Sequence, residues 1–195
     1  MGGRGRGEET RARVLEAASS LMLSKGFASM SIGDIVRATG VKKGNLYFHF
    51  SSKEELGLTV LEEERERFFL FLCQNLKGER PFEKVRNLLE ATFYEHRQRN
   101  FAGGCLFGNM ALEMSDRNPR FCEMVKEVFL EWTARLANVL AEAMAAGELS
   151  QAISPTVLAK HIVALIEGAI MMAKVSKDEK DLKDCLESLR ILLGM

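Results

Sequence analysis

The chain has 195 residues, room for one or two domains, and 47% of them are hydrophobic with only three prolines, so a substantial core is within reach. The formal net charge is zero, but the first 53 residues carry nine Lys or Arg against four Asp or Glu, and the remainder 18 against 23. A basic head on an acidic body points the head at a polyanion and argues against a protein that wraps DNA around its whole surface. Cys73, Cys105, Cys122 and Cys185 stand far apart with no C-x-x-C, so neither a zinc site nor a disulfide framework is suggested; buried reduced thiols in a cytoplasmic protein are expected.

Strand-like alternation is scarce and Ala, Leu, Glu, Met and Lys are common, so the expected fold is all-α, with about nine helices. Residues 1–7 are Gly/Arg-rich and are expected to be disordered. They hold no apolar run for a signal peptide, and Arg6 stands where myristoylation requires Ser or Thr. A first helix is predicted from about Glu9 to Ser24, with Val14, Leu15, Ala18, Leu21 and Met22 on one face and Gly26 as its stop. Ser31 then reads as an N-cap, with Asp34 three residues on as a weaker partner than Glu would be. The second helix runs to about Thr39 with Ile32, Ile35, Val36 and Ala38 inward. Gly40 makes a turn, Val41 packs beneath it, and a third helix spans Lys43 to His49. Leu46, Phe48 and Phe50 read as core. Ser52 caps a long fourth helix from Lys53 to about Leu76.

Five further helices are predicted: Pro81 to Arg99, Leu106 to Met114 after a Gly-rich break at 101–104, Pro119 to about Ala146, Pro155 to about Val175, and Asp178 to Leu193. Each proline sits where a helix can begin. The longest apolar stretch, 157–173, is interrupted by Lys160, His161 and Glu167. It is a poor membrane span and a plausible buried helix, so no membrane association is expected.

The segment 31–53 is a helix-turn-helix layout, in which the second of two short helices enters the DNA major groove. Lys42, Lys43, Gly44 and Asn45 begin that helix and would face base edges. Lysine can donate to guanine O6 and N7, and asparagine can pair with adenine N6 and N7. Gly44 removes a side chain and allows close approach. Tyr47 and His49 offer polar tips to phosphates. Lys53 in the first turn of the fourth helix and Ser31 at the start of the second could each hold a phosphate.

Residues 10–56 resemble the N-terminal domain of TetR/AcrR-type transcriptional regulators. The likeness is carried by Gly26-Phe27, Ser31-Ile32, Asp34-Ile35, Ala38, Gly40-Val41, then Gly44, Leu46-Tyr47, His49-Phe50, and Lys53-Glu54 with Leu56. It implies a three-helix DNA-binding domain, here 1–53, and a larger helical domain, 54–195, that binds a ligand and dimerises. The stretch from Gly104 to Glu113 is similar to one found in a subset of these regulators, where a short sixth helix meets the head and transmits ligand binding.

Candidate lining residues for a ligand cavity in the body are Phe93, Arg97, Phe101, Cys105, Trp132, Leu136, Glu167 and Met171: large, apolar or singly polar groups on helices expected to face one another. Ten methionines suit an adaptable pocket for a small hydrophobic or amphipathic effector. Ordinary core is the blander and commoner role for any one of these residues. Leu158, Ile162, Leu165, Ile166, Ala169 and Ile170, with Leu186, Leu189 and Ile191, exceed what one small core needs, and are the candidates for a homodimer interface. Two heads about 34–36 Å apart would then meet successive major grooves of a near-palindromic double-stranded operator.

Three other readings compete. An enzyme lacks support, since no Glu-x-x-His pair, nucleophile elbow, P-loop or H-E-x-x-H is present, and no metal or cofactor is expected. An architectural DNA binder would need a broader basic surface. A helical lipid carrier would have no use for Lys42, Lys43, Tyr47 and Lys53.

Overall fold

The computed structural model describes residues 5–194, and among them it has nine α-helices and no strand. These are α1 (Arg6–Lys25), α2 (Ile32–Thr39), α3 (Lys43–His49), α4 (Lys53–Asn75), α5 (Pro81–Gln98), α6 (Leu106–Met114), α7 (Pro119–Ala145), α8 (Pro155–Ser176) and α9 (Glu179–Leu193). Pro81, Pro119 and Pro155 each occupy the first position of a helix, where the missing N–H would have no intrahelical partner. The chain forms two compact units: one runs to Glu66 and takes in Leu106–Val125, the other holds Arg67–Cys105 and the chain from Lys126 onward. This differs from a division at residue 53, because the first part of α4, all of α6 and the start of α7 belong with the head.

In the first unit α1 starts at Arg6, earlier than the sequence suggests, with Gly5 at its N-cap. The rest of the Gly/Arg-rich arm, residues 1–4, lies outside the described residues. Val14, Leu15, Ala18 and Met22 are buried, and α2, α3 and α6 pack on α1. Ser31 and Asp34 form a complete capping box: Ser31 Oγ accepts from Asp34 N at 3.1 Å, and the Asp34 carboxylate accepts from Ser31 N at 3.0 Å. Ala38, expected inward, is exposed, and Thr39 is buried in its place. Threonine suits that position because its hydroxyl donates to Ile35 O at 2.7 Å and accepts from Val41 N at 3.2 Å, which ties the end of α2 to the turn. Gly40 adopts φ +69°, the left-handed conformation that lets α3 leave at an angle to α2.

In the second unit α8 packs along α9, and α5 against α9. Trp132 of α7 stands edge-on to Phe68 at 5.1 Å between centroids and stacks on Phe129 at 6.1 Å. Among the described residues α8 alone is long and apolar enough to cross a membrane. Its Ile162, Val163, Ile166, Ala169, Ile170 and Ala173 are buried within the unit, while Val157, Met171, Met172 and Val175 are exposed.

Candidate nucleic-acid interface and effector site

The α3 helix has seven residues and can bury one stripe. Leu46 fills it, fully buried, with Phe50 just beyond the helix end at 2% exposure. Lys42, Lys43, Gly44, Asn45 and Tyr47 are exposed and His49 is half-buried. The Lys43 ammonium lies 5.9 Å from the Tyr47 ring centroid, close enough for a cation–π attraction that orders both side chains. Phe48 corrects the sequence reading. Expected in the core, it is 82% exposed, because a residue two positions past Leu46 points to the far side of the helix.

Ser31 and Lys53 are engaged within the head. Ser31 Oγ donates to the Asp34 carboxylate at 2.8 Å while accepting from Asp34 N, so the hydroxyl proton is already used. These bonds from Ser31, with Lys25 beside it, hold Asp34 at a pKa of about 2. Lys53 Nζ donates to Ala28 O at 3.0 Å and sits 4.6 Å from the Phe27 ring centroid. Partial burial lowers its pKa, opposed by the nearby Glu113 carboxylate. Its remaining N–H bonds are what it can offer a phosphate.

Glu113 of α6 is a residue that the sequence reading named only as the end of a stretch. Its carboxylate accepts from Phe27 N at 2.9 Å and from Ala28 N at 2.6 Å, closing the turn after α1. Arg120, at the start of α7, bridges Glu54 and Glu55 in the first turn of α4 at 3.1 and 3.3 Å. No motif marks these pairs, since their members are more than 60 residues apart.

In the second unit Phe101, Trp132 and Leu136 are buried and Phe93 is half-buried, its ring 6.3 Å from that of Phe101. The Cys105 thiol donates to the Glu167 carboxylate, whose burial pushes its pKa up. Glu167 Oε1 and Trp132 Nε1 are buried without a hydrogen-bond partner. Burying such atoms unpaired costs stability, and both are the kind of group a ligand can satisfy. His96 is buried too, its pKa lowered to about 4 by burial and by neighbouring Arg99. Arg97 and Met171 lie apart from this interior: Arg97 is exposed and paired with Glu179 at 3.3 Å beside an open polar groove, and Met171 is 54% exposed. Among the described residues no His, Cys, Asp and Glu cluster is placed to hold a metal ion, and none of the four cysteines is in a disulfide.

The residues expected at a dimer interface divide. Ile162, Ile166, Ala169, Ile170, Leu186 and Leu189 are buried within the unit, because α8 and α9 pack on each other and on α5. Leu158 and Leu165 are half-buried, and Ile191 is 69% exposed. Other apolar side chains point outward from the same helices: Val157, Met172 and Val175 of α8 and Leu192 of α9.

A helical head whose α1–α3 present a short, basic, polar helix across a glycine turn is the arrangement of helix-turn-helix DNA-binding regulators. Residues 14–59 match the family described as bacterial regulatory proteins, tetR family, and residues 81–189 match the tetracyclin repressor-like C-terminal domain. The chain therefore belongs to the TetR family of transcriptional regulators, which are ligand-responsive DNA-binding proteins and not enzymes. It is 31% identical over 164 residues to the transcriptional regulator AcuR of Cereibacter sphaeroides, covering 83% of this chain and 75% of that one. It is 26% identical to the transcriptional repressor DhaR of a Mycobacterium species over 90% of this chain and 88% of that one. A TetR transcriptional regulator from Chloroflexus aurantiacus superposes with a TM-score of 0.90 at 30% identity, covering 98% of both chains.

Proposed function

We propose that the protein is a cytoplasmic repressor that binds a near-palindromic operator as a homodimer and is released by a small hydrophobic or amphipathic effector. The observation that carries this reading is α3 with its N-cap Lys42, where Lys42, Lys43, Asn45 and Tyr47 stand exposed and Leu46 is buried. Lys42 and Lys43 supply phosphate and guanine contacts, Asn45 an adenine contact, and His49 a second polar tip. Ser31 acts by capping α2, and Lys53 acts from the start of α4 with one N–H already given to Ala28 O. DhaR, similar along most of its length, is named a repressor, which favours repression over activation.

The effector site is assigned to the interior of the second unit around Phe93, Phe101, Cys105, Trp132, Leu136 and Glu167. The unpartnered Glu167 Oε1 would accept from an amine or hydroxyl, and Trp132 Nε1 would donate to a carbonyl. Release follows only if the effector binds the DNA-free state more tightly than the DNA-bound one. Dimerisation is assigned to the outward apolar face of α8 and α9, where Val175 and Leu192 are 81% and 78% exposed, and not to the buried leucines and isoleucines of the same helices.

The test is a selection of genomic fragments by the purified protein at near-physiological salt. A shared inverted repeat is the expected outcome. Fragments retained without a common sequence, and lost steeply as salt rises, would favour an architectural role. No retention, from protein shown to be free of bound small molecules, would leave a carrier.

A further inference from the structure

We propose that Phe48 is a base-reading residue that recognises thymine through its C5-methyl group. The inference rests on the reading of α3 as the helix that enters the major groove. With about 100° between successive residues, and with Leu46 directed into the head, Gly44 and Phe48 each fall within about 20° of the opposite side of the helix. They are one turn apart on its outermost line. At Gly44 a side chain would meet no atom within 4 Å, so the leading turn of that line is bare backbone facing open space. Phe48 follows, 82% exposed, its ring set edge-on to His49 at 5.3 Å. The stripe thus pairs a position without a side chain with one bulky apolar ring, flanked by Lys42, Lys43, Asn45 and Tyr47.

The chemistry of the duplex narrows what that ring can read. Phenylalanine neither donates nor accepts a hydrogen bond, so it gains nothing from the polar pattern of the base edges. The one apolar group on the major-groove edge of unmodified DNA is the thymine methyl. The cations beside Phe48 select a polyanion as the occupant of this face, rather than an apolar protein partner. The bare backbone at Gly44 lets the helix sink far enough for the ring one turn later to reach the base edges. Phe48 then supplies discrimination at thymine that the lysines, which meet phosphates and guanine, do not.

The test is a pair of selections from random duplexes at near-physiological salt, one with the wild-type protein and one with Phe48→Ala, followed by titration of the selected site with deoxyuridine in place of individual thymines. The wild type should select a fixed thymine in each half-site. Deoxyuridine there should weaken its binding by about fourfold per methyl lost, the value of one buried methyl-sized group. Phe48→Ala should select a motif degenerate at that position and should bind the thymine and deoxyuridine sites equally. Phe48→Leu, which keeps an apolar tip, should retain part of the preference. Because Phe48 is exposed, both variants should melt with the wild type. An unchanged motif for Phe48→Ala, or equal sensitivity of wild type and variant to deoxyuridine, would overturn the proposal while leaving the regulator reading intact. A wild-type protein that selects no motif would overturn both.

Discussion

His96 lies in the last turn of α5 with the Arg99 guanidinium Nη2 3.4 Å from its Nδ1, and both burial and that cation oppose a second positive charge. Its pKa of about 4 lies below the ordinary 6.5. Above pH 6.5 folded and unfolded chains both hold it neutral, and its contribution is fully present. Between pH 6.5 and 4 only the unfolded chain takes up the proton, so stability falls as pH drops, by at most about 3 kcal/mol. Denaturant titrations between pH 7.5 and 4.5 should show this slope in the wild type and its loss in His96→Gln. Asp34 works in a separate window: its depressed value near 2 means that the capping box is fully supported above pH 3.8 and is lost as pH falls toward 2. At this scale the sequence was legible where chemistry is local. Ser31 and Asp34 announce their cap by spacing alone. Phe48 does not announce its exposure, because an aromatic run reads as core until the direction of each side chain is known.

The elements were the most legible level, since their ends are set by residues whose effect is local: proline at the start of α5, α7 and α8, glycine after α1 and α2, serine before α2 and α8. What joins the elements was less legible. Glu113 reaches from α6 to two backbone N–H groups after α1, a bond between residues 86 and 85 positions apart. Glu113→Ala leaves those donors without their acceptor and should destabilise the head by about 1–3 kcal/mol, measured by thermal or denaturant unfolding. Glu113→Gln keeps one acceptor oxygen and should cost less. If Glu113→Ala melts with the wild type, water replaces the carboxylate and the clasp contributes nothing. A second joint lies at Gly57 of α4, where a Cβ would press into the Phe27 ring and stand 2.9 Å from Phe121 Cζ. Phe27 and Phe121 already pack in a tilted contact at 4.6 Å between centroids. Gly57→Ala should therefore destabilise by about 1–3 kcal/mol despite alanine's better helix propensity, and an increase in stability would show that the rings have room to shift.

At the scale of the whole molecule, apolarity in the sequence could not separate a core from an interface, because both bury the same side chains. Leu186, Leu189 and Ile166 look no different in sequence from Ile191, Leu192 and Val175, yet the first three are at most 5% exposed and the last three at least 69%. Leaving so much apolar surface in water is unfavourable for a single chain, and a second copy would cover it symmetrically. Replacing Val175 and Leu192 by glutamate should leave the helical signal and melting behaviour of the monomer intact, since neither side chain contributes to the core. Sedimentation should show the double variant as a monomer at concentrations where the wild type is a dimer. Operator affinity should then fall by about 100-fold or more, because the second head no longer binds at the high effective concentration set by the first. The slope of log affinity against log salt should fall to about half, since half the phosphates are contacted. A double variant that remains dimeric would move the interface off this face. A monomer that binds the operator as tightly as the wild type would show that one head alone supplies the recognition.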